Sequence, residues 1–330
     1  MLKTYLNDIV KVLASLFLGA LILYWTYRDF DVSKLDDIFD GGINWWWMMA
    51  SMPFGILAQL FRGWRWKLSL VPLGETPKVG HCVNAVFVSY AANLLVPRVG
   101  EISRCGILKN FDGVSFTKSL GTVVTERVID SLCVLLITGV TLLTQMGVFS
   151  VFFKETGTDL RQLAGQFTSV HYIILGISTI AILALLLYIV KKISFFTKVK
   201  SKFNNLCEGI FSLRVVTEKW LFLFYTIGIW ASYILHFSLT LYAFDFTAHL
   251  GFVASLVMFA VGSIAVVVPT PNGAGPWHFA VITMLGLYGV GLEDAGIFAL
   301  LVHSIQTLLI VLLGIWGMLA LSLEKKEINK

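Results

Sequence analysis

The sequence predicts an all-α fold, a polytopic integral membrane helical bundle with two re-entrant or broken-helix elements arranged as an inverted repeat. Three observations predict it. Hydrophobic residues fill 57% of the 330 positions and charged residues only 14%, whereas soluble domains average about 45–50% and 25%. Several apolar runs approach the ~20 residues that cross a ~30 Å hydrocarbon core. Two apolar stretches, Asn93 to Arg104 and Val266 to Phe279, are interrupted alike, by proline and glycine followed by ionisable or hydrogen-bonding side chains. Non-helical backbone at membrane depth needs protein or a water-filled cavity to satisfy its N–H and C=O groups. Matched interruptions in two halves of a chain point to the binding site of a transporter. Read singly, either stretch is also compatible with an ordinary loop at a helix end.

Each element follows in order. Lys3 and Lys11 precede an apolar run, but the run continues to Tyr27 with no small-residue cleavage site, so 10–27 is an uncleaved first span. Asp29, Asp31, Asp36, Asp37 and Asp40 outweigh Arg28 and Lys34, which places that loop outside and the N-terminus inside. A second span covers 44–61, with Trp45, Trp46, Trp47 and the group Trp64, Arg65, Trp66, Lys67 as interfacial anchors at its two ends. Arg62, Arg65, Lys67 and Lys78 mark the next connection as cytoplasmic. The stretch 79–97 has basic residues on both sides, Lys78 before and Arg98, Arg104, Lys109 and Lys118 after. A hairpin entering from the cytoplasm and turning back, with Asn84, Ser89 and Asn93 serving its turn, avoids the conflict.

Further spans are expected at 119–146, 169–190, 220–243 and 295–322. The intervening 191–219 is a basic cytoplasmic connection in which Ile193, Phe195, Phe196, Val199, Phe203 and Leu206 alternate with lysines, suited to a helix lying on an anionic leaflet. Residues 250–268 and 277–291, broken at Pro269–Pro276, are short for full crossings; whether they cross or re-enter stays open, because the flanks come out the same. If the first element dips from inside and the second from outside, the breaks approach the midplane from opposite faces. Both termini are then cytoplasmic, in a cell inner membrane, and 1–330 forms a single transmembrane domain with no stretch long enough for a separate soluble core.

Charge inside a span costs about 2.5–3.5 kcal/mol on insertion scales, so such residues are functional candidates. Glu126 and Asp130 are four apart on one helix face, with Arg127 about 100° away. Arg98, Glu101 and Arg104 follow the first break, and arginines near helix interruptions suit an anionic phosphate. The same residues also suit a buried structural pair of Arg127 with Asp130. In the second break, Gly273 and Gly275 allow close backbone approach, and a helix starting at Pro276 aims its N-terminal dipole at the break, with His278 on its first turn. Asn93 joins these as a candidate binding residue. Cys82, Cys105, Cys133 and Cys207 show no metal or disulfide spacing. There is no triad, Walker loop, zinc motif or dinucleotide fingerprint; no catalytic residue, metal or cofactor is expected. The net charge of +5 reads as a topology signal and not as a nucleic-acid footprint.

At these motifs the chain resembles the flippase-like family named for the transmembrane region of lysylphosphatidylglycerol synthase. The matching positions are Asn93, Pro97, Gly100, Glu101 and Arg104, then Glu126, Arg127 and Asp130, then Pro269 or Pro271 with Gly273 and Gly275. The resemblance spans about 5–322 and departs where many relatives carry a glutamate in place of His278. It implies an inner-membrane protein whose relatives move an aminoacylated phospholipid between leaflets, without the soluble aminoacyl-transferase domain. The expected role is a flippase for an anionic or aminoacylated phospholipid or a lipid-linked intermediate, acting on membrane lipid. Two alternatives stand beside it, a non-transporting scaffold for a lipid-modifying or glycosyl-transferring enzyme and an intramembrane enzyme acting on lipid phosphate. Assembly into a homo-oligomer is left open.

Overall fold

A computed structural model describes residues 17–28, 42–145, 147, 209 and 216–328. The expected span 169–190 lies outside the described residues, as does nearly all of the connection 191–219. The described chain is all-α. Its helices are α1 (Phe17–Tyr27), α2 (Trp45–Leu70), α3 (Val79–Leu95), α4 (Val99–Asp112), α5 (Phe116–Thr144), α6 (Lys219–Leu241), the single turn α7 (Asp245–Ala248), α8 (Gly251–Ala265), α9 (Pro276–Leu287) and α10 (Leu292–Ile328). Local chemistry marks their ends. The Asn44 side chain accepts a hydrogen bond from the Trp46 N–H at 3.1 Å to cap α2, and Ser115 caps α5. Gly113, with φ 69°, closes α4 in the left-handed conformation.

Among the described residues, three helices are long and apolar enough to cross a membrane: α5, α6 and the Leu292–Glu324 part of α10. The protein is therefore a multi-spanning membrane bundle. Helix α2 runs antiparallel to α6, from the Asn44 N–H on the Ala243 carbonyl (2.8 Å) to Arg65 on Thr226 (3.3 Å). It is 26 residues long, about 39 Å at 1.5 Å per residue. The expected span 44–61 is thus only its first part. Arg62, Arg65 and Trp66 do not lie in a cytoplasmic loop or at an interface as the sequence suggested. They are fully buried in the helix, because carboxylates on α5 satisfy the two charges and Thr122 accepts from the Trp66 indole.

The two interrupted stretches form helical hairpins. α3 packs along α4, and α8 along α9. Their legs of 17, 14, 15 and 12 residues reach about 18–25 Å, short of a ~30 Å core, so each hairpin returns to the side it came from. The first is larger than expected. Its turn does not involve Asn84 or Ser89, which lie within the continuous helix α3. The chain reverses at Val96–Arg98, where Pro97 stops the helix, and α4 is the return leg.

Helix α10, 37 residues long, relates the hairpins to one another. At its start, Tyr27 of α1 donates to the Gly296 carbonyl at 3.1 Å. Midway, His303 and Thr307 touch Asn272 at the tip of the second hairpin. Beyond, Gly314 and Gly317 press on Ala91 and Phe87 of α3. At its end, Glu324 meets Lys78 and His81 at the base of the first hairpin. Glu324 lies about 25 Å beyond Thr307, and α3 is about 25 Å long. The hairpins therefore enter from opposite ends of α10 and meet tip to tip near its middle, and the turn Pro271–Gly273 packs against α3. Each hairpin has its own apolar core. One gathers Met48, Phe237, Phe244, Met258, Met284 and Phe298; the other gathers Trp66, Leu70, Val86, Cys105, Leu108 and Val123.

The two ends differ in charge. Lys67, Lys78, Lys109, Lys118 and Lys219 lie at the end holding the base of the first hairpin; Asp245, Glu293 and Asp294 lie at the other. At the basic end His81 sits between two carboxylates, Asp112 Oδ1 at 2.8 Å and Glu324 Oε2 at 2.6 Å, which ties both hairpin legs to α10. In a Cys-free background, Lys78→Cys and Lys109→Cys should react with an impermeant thiol reagent from the same face, and Glu293→Cys from the opposite one. Labelling of 78 and 109 from different faces would contradict the hairpin.

Candidate functional site

Seven ionisable residues from three helices converge between α2, α4 and α5. Asp130 Oδ2 accepts from Arg62 at 2.6 Å and Oδ1 from Arg65 at 2.9 Å. Glu126, one turn earlier on α5, accepts from Arg104 at 2.8 Å and faces the Arg65 Nε at 3.5 Å. Arg127 reaches Asp130 at 3.0 Å and Glu101 at 3.5 Å. Spacing four apart on one helix presents both α5 carboxylates to α2, while Arg62 and Arg65, three apart, answer from the facing surface. Aromatic rings complete the enclosure. Arg104 lies over Trp66 at 4.5 Å, Arg62 is flanked by Tyr90 and Tyr233 at 5.7 Å each, and Arg65 lies over Phe222. Guanidinium tolerates such faces because it is weakly hydrated and planar. Arg62, Arg65, Arg104, Glu126 and Asp130 are buried, but the Arg127 side chain is 40% exposed and that of Glu101 28%. This pair forms the open edge of the cluster.

The tip of the first hairpin is a clasp. Asn93 Oδ1 accepts from the Gly100 N–H at 2.8 Å, satisfying one of the free amides that begin α4. A Cβ on Gly100 would overlap the Ser89 carbonyl oxygen, so the two legs can close only on glycine. Arg98 stands at the tip with φ 66°, a conformation uncommon outside glycine. It is exposed and touches no member of the cluster.

The second break forms a separate network. Asn272 and Gly275 adopt φ 51° and 92°. The Gly275 N–H donates to His278 Nδ1 at 3.4 Å. His303 Nε2 donates to the Asn272 carbonyl at 3.1 Å, and the Asn272 amide donates to Thr307 Oγ1 at 2.8 Å. The His278 and His303 rings lie 4.5 Å apart. The close approach that Gly275 permits is to α1: a Cβ there would sit 2.9 Å from Ile22 Cβ and 3.0 Å from the Gly19 carbonyl oxygen. A cavity of about 120 Å³ separates the networks, with Tyr233, which touches Arg62, on one wall and Trp277, beside His278, on another.

Family comparison covers nearly the whole of this geometry. A family model described as the lysylphosphatidylglycerol synthase TM region matches residues 12–314, from α1 through most of α10. The chain belongs to that family. Neither a curated protein nor a solved structure matches it. The expected candidates divide into three places. Glu101, Arg104, Glu126, Arg127 and Asp130 come together; Asn93 and Arg98 mark the hairpin tip; Gly273, Gly275 and His278 belong to the second break. Among the described residues, no group of three or more metal-ligating side chains occurs.

Sequence reading missed Arg62 and Arg65, which it took for loop charges, and Tyr90, Tyr233 and His303. An available signal for the arginines was their spacing of three beside tryptophans in an otherwise apolar helix.

The contacts predict unequal mutational effects. Asp130→Leu leaves Arg62 and Arg65 without their nearest carboxylate and should cost about 3–5 kcal/mol. Adding Arg127→Leu should not restore it, because buried Arg62 stays unpaired and Arg65 keeps only Glu126 at 3.5 Å. Arg127→Leu alone, at the half-exposed edge, should cost about 1 kcal/mol or less. Denaturant titration in mixed micelles reads all three, and equal losses for the two single variants would contradict this order. Gly100→Ala should lose about 1–3 kcal/mol through overpacking in the same assay.

Proposed function

We propose that this protein is a flippase, and not an enzyme, that moves an anionic or aminoacylated phospholipid, or a lipid-linked intermediate, between leaflets of a cell inner membrane. The observation that carries the reading is an arginine-rich cluster placed inside a lipid-embedded bundle, with one edge open at Glu101 and Arg127. Guanidinium groups bind phosphate oxygens bidentately, and a phosphate is the one strongly anionic group a membrane lipid brings to such depth. Hairpins meeting tip to tip from opposite ends support passage from either face, as in transporters built on inverted elements. The positive-inside rule makes the basic end cytoplasmic, with both termini on that side. The lipid phosphate engages Arg127 first, with Arg98 at the tip and Arg104 beneath, while Asn93 and the Gly273–His278 segment hold the tips in register.

A specific feature favours a second reading. The inner members of the cluster are sealed and the second break is packed by α1 and α10, as suits a non-transporting scaffold for a lipid-modifying or glycosyl-transferring enzyme. Proteoliposomes carrying tail-labelled fluorescent phospholipids separate the two. The parental protein should accelerate lipid exchange, and Arg127→Gln should insert and fold normally yet lose most of that rate. Parental proteoliposomes no faster than empty ones would sink the flippase reading in favour of the scaffold.

A further inference from the structure

Resting on the flippase reading, we infer that the lipid this site accepts is a phosphodiester of net charge −1 with an uncharged headgroup, seated at Arg127. Among the described residues the cluster holds four guanidiniums, from Arg62, Arg65, Arg104 and Arg127, against three carboxylates, from Glu101, Glu126 and Asp130, so one positive charge is in excess. Each carboxylate lies within ion-pair distance of at least one arginine. A surplus charge at this depth has little water to solvate it, and a buried charge is stable only when paired. A single monoanion removes the surplus.

Free donors accompany the surplus. The Nε–H groups of Arg62, Arg65, Arg104 and Arg127 make no hydrogen bond, although those of Arg65 and Arg127 stand 3.5 Å from Glu126 and Glu101. Access is confined to one place, because Arg127 and Glu101 alone among the seven expose a substantial part of their side chains. Arg127 also has the looser attachments, 3.5 Å to Glu101 on the hairpin and 3.0 Å to Asp130 on its own helix. Asp130 keeps Arg62 and Arg65 if Arg127 turns away. Arg127 can therefore exchange Glu101 for a phosphodiester oxygen without dismantling the inner pairs.

The same count disfavours other headgroups. All three carboxylates are already engaged by arginine, so none is free to receive an ammonium. A phosphodiester whose headgroup hydroxyl carries a lysyl ester, with two ammonium groups, has net charge +1 and would enlarge the surplus. A phosphomonoester dianion or a diphosphate would overshoot it and face Glu101 and Asp130.

The test compares tail-labelled phosphatidylglycerol, its lysyl ester, phosphatidylethanolamine and phosphatidic acid, read by proteoliposome translocation and by lipid retention in native mass spectrometry. Phosphatidylglycerol should be moved and retained at least about tenfold better than the lysyl ester or phosphatidylethanolamine. Glu101→Gln raises the surplus to two charges and should shift preference toward phosphatidic acid. Arg127→Gln removes the surplus and should abolish discrimination between phosphatidylglycerol and phosphatidylethanolamine in retention, which keeps the inference testable if Glu101→Gln fails to fold. Lipid moved with equal preference for phosphatidylglycerol and its lysyl ester, or a preference unchanged by both variants, overturns the inference and leaves the flippase reading standing. If no lipid moves, the flippase reading fails, and retention alone decides the charge selectivity.

Discussion

Two carboxylates one turn apart on α5 hold the basic half of this bundle together. Glu126 and Asp130 gather Arg62 and Arg65 from α2 and Arg104 from the return leg of the first hairpin. None of these arginines would be tolerated in a hydrocarbon core alone, and none of the carboxylates would either. Their mutual neutralisation lets an arginine-bearing α2 run as one helix to Leu70. It also fixes the hairpin against α5, so the position of the open edge at Arg127 depends on the buried pairs behind it.

The second half is organised by backbone satisfaction instead of charge. Breaking a helix at Val266–Gly275 frees carbonyls and amides that lipid cannot serve. His303 on α10 donates to the freed Asn272 carbonyl, Thr307 holds the Asn272 side chain, and His278 receives the Gly275 N–H. Gly275 at the break then lets α1 close over it. One hairpin is thus pinned by ion pairs and the other by neutral hydrogen bonds. This asymmetry places an anion's attraction at the first hairpin and leaves the second as a packed counterpart.

The placement of Arg127 and Glu101 connects stability to function. Inner pairs sealed from water supply rigidity, while a half-exposed pair at the rim can trade partners at small cost, since surface ion pairs contribute little. A site built this way can receive and release an anion without unfolding its support. The cavity between Tyr233 and Trp277 leaves some slack between α6, α10 and the second hairpin.

Much of this was legible in the residues. Apolar run lengths determined the helical membrane class, and proline and glycine inside apolar stretches the existence of two interrupted elements, because bilayer thickness and backbone conformation act directly on composition. The motif Glu126-Arg127-Asp130 was visible because charge in an apolar helix is costly wherever it lies. Tertiary structure decided which charges meet. Arg62 and Arg65 look like loop residues until α5 is packed against them, and only packing distinguishes a solvated arginine from a buried one. The extent of the first hairpin was likewise hidden: Pro97 announced a break, but only the contact of α4 with α3, closed on Gly100, showed the return leg. Pairing across helices depends on rotation and depth, which one-dimensional spacing does not encode.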